Sequence, residues 1–152
     1  MATATSTTKT AVSFSADERA AMKAHAAELK TAARRKNSRS AKADGEQDVL
    51  AKIADMDDYD RPIAERLHAL IKSVAPELAC KTWYGMPSYT RGDKIVCFLQ
   101  PAAKFKTRYA VLGFNDVANL DDGDLWAVNY ALRAMTADTE ARVTELPRRA
   151  LS

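Results

Sequence analysis

Cysteine is scarce in this chain: Cys80 and Cys97 are the only two among 152 residues. These thiols and the two histidines, His25 and His68, stand at none of the spacings that build a zinc site. With so few cysteines the expected state is two reduced thiols, not a disulfide framework. Glycine is also sparse, at five residues, and no Gly-rich phosphate loop can be drawn from them. HExxH and GxSxG are missing, and neither histidine has a Ser or Cys nucleophile with a carboxylate nearby in sequence. No apolar run approaches the roughly 18 residues that span a bilayer. Met1 to Thr10 lacks the apolar stretch of a secretory signal. These absences predict a non-catalytic, cytoplasmic protein with no membrane partner. Its first 14 residues, rich in Thr and Ser, are read as a disordered tail.

What is present suits a folded domain. Hydrophobic residues make up 47% and charged residues 28%, a balance that lets a chain of this length bury one core. The net charge of +3 is too mild to indicate nucleic acid by itself, but it is unevenly spread. Lys30, Arg34, Arg35, Lys36, Arg39 and Lys42 form a basic stretch with no acid between Glu28 and Asp44. No aromatic residue interleaves it, so no base could stack there, and a solvated linker is favoured over a nucleic-acid contact. Acids gather at Asp55, Asp57, Asp58 and Asp60, and again at Asp116, Asp121, Asp122 and Asp124. Either group could hold a cation; equally, aspartate suits turns and helix N-caps.

Helical patterns flank a β-rich centre. Ser15 to Glu18 reads as a capping box. Met22, Ala26, Leu29 and Ala33 then give a thin apolar stripe, expected to dock weakly or to serve a partner. Asn37 to Gly45 is the linker candidate. Val49, Leu50, Ile53 and Met56 predict a second helix. The strongest pattern is Ile63, Leu67, Leu70, Ile71 and Val74, capped by Asp60, with Pro62 in its first turn and Pro76 as its stop. Farther on, Leu125, Val128, Leu132 and Met135 predict a helix capped by Asp122 or Asp124. Thr136 should cap the last helix, pointing Val143 and Leu146 inward and ending or kinking near Leu146 because of Pro147.

The centre, Lys81 to Phe114, predicts a small antiparallel meander. Trp83, Tyr84, Met86 and Tyr89 are candidates for one wall of a small-molecule pocket, with strand alternation setting Tyr84 and Met86 opposite Trp83. Lys104, Lys106 and Arg108, alternating on one strand face beside Tyr109, are candidate contacts for an anion. All these residues also have plain structural uses, as aromatic core or as charged strand edge. Cys97 is read as core, and Cys80 as partly exposed at a helix–strand junction.

Tyr84-Gly-Met-Pro-Ser-Tyr89 after an amphipathic helix, then a Gly-Asp-Lys turn, a strand ending near Gln100 and the Lys-rich Ala103 to Lys106, resembles the DUF1801 (YdhG-like) family. The likeness covers residues 47–152 and leaves 15–46 as an N-terminal helix with a basic linker. It implies an α+β, frataxin-like fold: a small antiparallel sheet packed against helices. Some members are described as intracellular iron chaperones, so the resemblance implies iron as a possible cargo. Frataxin-type iron binding uses clustered carboxylates, and Asp55, Asp57, Asp58 and Asp60 are the candidate set here, with no ligand carried over residue by residue. Three function classes stand side by side: a non-catalytic binding protein with a pocket at Tyr84, Met86, Tyr89 and Lys106; an iron chaperone; and an adaptor presenting the helix from Ser15. Ligand and oligomeric state are open.

Overall fold

Five strands pair in sequence order as an antiparallel meander in the computed structural model, which describes residues 15–35 and 41–152. They are β1 (Ala79–Trp83), β2 (Met86–Arg91), β3 (Lys94–Gln100), β4 (Ala110–Phe114) and β5 (Asn129–Leu132). The helices are α1 (Ala16–Arg35), α2 (Ala41–Ala54), α3 (Asp60–Val74), the single turn α4 (Ala102–Phe105) and α5 (Ala137–Ala150). The fold is α+β, as expected. The expected tail, and Lys36 and Arg39 of the basic stretch, lie outside the described residues.

Strand register builds the core. Cys80 faces Tyr89, Tyr89 faces Cys97, and Cys97 faces Phe114, a row that crosses four strands. Leu99 with Leu112, and Ala110 with Leu132, extend the same face. All of these are buried, and they pack with Val49 and Ile53 of α2, Ile63, Leu67 and Ile71 of α3, and Val143 of α5. The α3 stripe therefore does what its spacing predicts. At about 1.5–3 kcal/mol per buried aliphatic side chain, it is a main source of the layer's cohesion. The opposite sheet face carries Lys81, Trp83, Phe98 and Val111, all half-buried.

Several expectations are corrected. No helix forms around Leu125: residues 124–128 are turn and loop, with Leu125 88% exposed, and β5 follows. The edge of β4 needs partners for its backbone groups, and the chain supplies them: the Phe114 N–H donates to the Val128 carbonyl, and β5 pairs beyond it. Tyr130 and Leu132 then turn inward at the strand period, which overrides the helical spacing. Asp122 and Asp124 flank the Gly123 turn and cap nothing. The expected linker also shrinks, because α2 already begins at Ala41 and Gly45 is buried within it. Thr136 does cap α5, accepting from the Thr139 N–H at 3.2 Å. That helix runs through Pro147 to Ala150, however: the proline is fully buried in the last turn, where only one backbone bond is forfeited. Among the described residues, no helix is long and apolar enough to cross a membrane.

Candidate functional site

The Tyr-Gly pair is a turn. Trp83 pairs directly with Met86, so Tyr84 and Gly85 form a two-residue hairpin connection, with φ of 51° and 74°. Positive φ at both positions is what a type I′ hairpin requires. Tyr84 and Met86 therefore do not share a strand face, and Trp83 and Met86 are cross-strand neighbours.

Three side chains from elsewhere hold this turn. Glu28 of α1 accepts the Tyr84 N–H at 2.7 Å on Oε2 and the Gly85 N–H at 2.6 Å on Oε1. His25, one helical turn earlier, stacks on the Tyr84 ring with centroids 3.8 Å apart and planes 8° from parallel. Lys104 of α4 donates from Nζ to the Tyr84 carbonyl at 2.8 Å. Its side chain crosses Gly85 where a Cβ would displace Nζ, so a larger residue there would be strained by φ and would push the Lys104 ammonium off the turn. Burial, then the Lys52 charge, push the Lys104 ammonium below its ordinary value, and the Glu28 charge opposes them.

The docking face of α1 is not the expected Met22–Leu29 stripe. Ala21, Ala24, His25, Glu28 and Thr31 are the half-buried positions, while Met22 and Leu29 are 43% and 58% exposed. Carboxylate-to-amide bonds outrank a thin apolar face because each is charge-assisted. The capping box forms as predicted, with the Glu18 N–H donating to Ser15 Oγ at 3.1 Å. Asp17 adds an exposed ion pair to Lys106 at 2.6 Å.

Between α1, α2 and β1 lies a cavity of about 490 Å³. Ala24, Leu29, Ala51 and Trp83 give it apolar walls, Lys52 and Lys81 add two cations and Asp48 a carboxylate, and His25 and Glu28 reach it from the turn. Trp83 also meets the Phe98 ring edge-on, 5.3 Å between centroids, which fixes its plane. Cys80 lines the cavity too, but it is buried, contrary to expectation, and burial pushes its thiol up, away from the thiolate a nucleophile needs.

The other sequence candidates disperse. Met86 is buried at the start of β2. Tyr89 faces the helices, 1% exposed, with its hydroxyl 2.9 Å from His68 Nδ1. Lys104, Lys106 and Arg108 share no strand face: Lys104 is in α4, Lys106 is its left-handed C-cap, and Arg108 precedes β4, lying over Tyr109 at 5.3 Å. Asp60 explains why a helical turn interrupts there. Only 2% exposed, it accepts the Ala102 and Ala103 N–H groups at 2.8 and 3.0 Å. The capping of α3 falls instead to Asp57, whose Oδ1 accepts the Tyr59 and Asp60 N–H groups. Asp58 pairs with Arg61 at 2.6 Å. Asp55 and Asp57 border a second cavity of about 440 Å³ beside Lys52 and Lys104. Among the described residues, no three His, Cys, Asp or Glu side chains are grouped to hold a metal ion.

One polar chain crosses the core. From Tyr89 it passes to His68, from His68 Nε2 to Glu46 Oε1 at 3.1 Å, and from Glu46 Oε2 to Lys72 at 3.4 Å. With Nε2 donating to the carboxylate, Nδ1 of a neutral imidazole is left to accept the Tyr89 hydroxyl. Desolvation opposes the Glu46 charge, but hydrogen bonds and charge from His68 and Lys72 outweigh it and hold the carboxyl below its ordinary range. His68 was legible as a buried position, since it sits beside Leu67 and one turn before Ile71. Glu28 was not legible: its partners lie 56 and 57 residues away and are backbone amides. Compared with known protein families, curated proteins and solved structures, the chain matches none.

Proposed function

We propose that this protein is a non-catalytic binding protein whose small-molecule site is the cavity between α1, α2 and β1. The observation that carries this is the cavity itself: about 490 Å³, inside the range of roughly 300–1,000 Å³ typical of ligand sites, with Trp83 as a fixed aromatic wall. Of the pocket residues expected from the sequence, Trp83 lines this cavity, Tyr84 borders it through His25 and Glu28, and Lys104 anchors the turn. The chemistry at its walls is recognition chemistry. His25 and Glu28 are engaged with the turn, and the Cys80 thiol is kept protonated by burial.

The test uses Trp126→Phe protein, in which Trp83 is the sole tryptophan and Trp126 is absent from the cavity wall. A metabolite set is screened by thermal unfolding and by Trp83 emission. A ligand should raise the midpoint by mass action and change the emission in parallel. Hits that raise the midpoint of Trp83→Ala protein as much as wild type would place binding elsewhere and refute the reading. An Fe(II) arm, run anaerobically, addresses the iron role that the family resemblance implies. Because Asp57, Asp58 and Asp60 already hold backbone or arginine partners, its midpoint is expected not to move.

A further inference from the structure

We propose that the paired amides of Tyr84 and Gly85 recognise the carboxylate of a small organic acid bound in the α1–α2–β1 cavity, and that Glu28 occupies them in its absence. The inference rests on the cavity reading above and supplies the ligand's chemical class.

The geometry at the turn is already that of carboxylate recognition. One oxygen of Glu28 meets each N–H, at 2.7 and 2.6 Å, a bidentate arrangement of charge-assisted bonds. Two successive residues at positive φ turn their amides to one side and make a concave donor pair suited to an anion. The hairpin itself does not use these donors, since its strand pairing begins at Trp83 and Met86. Recognition by backbone is indifferent to what carries the carboxylate, so an acid of suitable reach competes with Glu28 on equal chemical terms.

Position and charge favour such a competitor. Glu28 and His25 line the cavity and cover the amides, which are not themselves part of its wall, so a rotation of the Glu28 side chain would open them to a molecule lodged there; Gly85 also borders the second cavity, beside Lys52 and Lys104. Ala24, Ala51 and Trp83 would receive an apolar body of limited size. The Lys104 ammonium sits at the Tyr84 carbonyl and Lys52 lines the cavity; an acid would replace the negative charge that Glu28 provides them, whereas a neutral ligand would not. Glu28 also fits incompletely. His25 Nδ1 is buried with no hydrogen-bond partner, and the nearest Glu28 oxygen is 3.6 Å away. A carboxylate seated slightly differently in the same place would bring an oxygen within reach of it.

The experiment follows backbone amide NMR signals of the full chain with phenylacetate as probe and phenylacetamide as its neutral counterpart. Wild type, Glu28→Ala and Glu28→Gln are compared. Phenylacetate should move the Tyr84 and Gly85 amides in Glu28→Ala protein, saturating at a concentration at least tenfold lower than in wild type, and phenylacetamide should leave them in place. Where Glu28→Ala releases α1, seen as collapse of the Ala16–Arg35 amide dispersion, Glu28→Gln decides, because it keeps an acceptor of the same length without the charge. Equal shifts at Ala51 and Trp83 from both compounds, with Tyr84 and Gly85 unmoved, would overturn the carboxylate assignment and leave the cavity reading standing. Absence of shifts at cavity and turn in all three proteins would overturn both.

Discussion

Replacing Gly45 by alanine sets helix propensity against packing, and the two predict opposite signs. Glycine inside a helix costs about 0.8–1.0 kcal/mol relative to alanine, so the sequence alone predicts stabilisation by roughly that amount. Gly45, however, is buried where α2 lies on β1. A Cβ there would stand well inside 3.0 Å of the Cys80 carbonyl oxygen and 3.3 Å from its carbon. Both obstacles are backbone, so no rotamer change relieves the overlap. α2 must lift, which loosens Val49 and Ile53, now 0% and 2% exposed. Overpacking of a core typically costs about 1–3 kcal/mol, and a rigid obstacle belongs in the upper half of that range. Subtracting the propensity gain leaves a net loss of about 1–2 kcal/mol, or a fall in Tm of about 2–8 °C for a chain of this size. Urea unfolding followed by far-ultraviolet circular dichroism and by tryptophan emission reads this directly, as a lower midpoint with an unchanged slope. Ala69→Gly on the exposed side of α3 is the control, and should cost about 1 kcal/mol through propensity alone. A Gly45→Ala protein as stable as wild type, or more so, would refute the close approach of α2 to β1.

Alkaline pH should unfold the protein through its core. Burial pushes the Cys97 thiol from 9.0 up to about 12 and the Tyr89 hydroxyl well above its ordinary 10. The unfolded chain therefore releases these protons first, and stability is full below pH 9 and falls as pH rises toward 12. The Cys97 share is about 1.4 kcal/mol per pH unit in that window, and urea midpoints for Cys97→Ala should decline with a visibly shallower slope than wild type; parallel slopes would contradict the assignment. Asp60→Ala removes a buried carboxylate from two backbone N–H groups and should cost about 2–4 kcal/mol by urea unfolding. Asp55→Ala, at an exposed site five residues before the next buried position of that chain segment, should stay within about 0.5 kcal/mol. Equal effects would mean that Asp60 does not organise α4.

Local chemistry was legible in the sequence wherever the partners of a group lie within a helical turn or along one strand. The Ser15–Glu18 box, the Ile63–Leu67–Ile71 stripe, the Thr136 cap and the strand runs after Trp83 all belong to this class. Periodicities of 3.6 and 2 are written residue by residue, so each element can be recognised without its neighbours. Tertiary structure alone decided the rest. The stretch after Gly123 carries helical spacing yet becomes loop and β5, because the unpaired edge of β4 offers its backbone groups a partner. Asp60 caps a helical turn 42 residues away instead of its own helix, since Asp57 takes that place first. Glu28 reaches amides 56 residues away, and any residue can present an amide, so no side-chain pattern marks the site. Long-range acceptance of backbone hydrogen bonds has no sequence period; only the packed chain brings such donors and acceptors together.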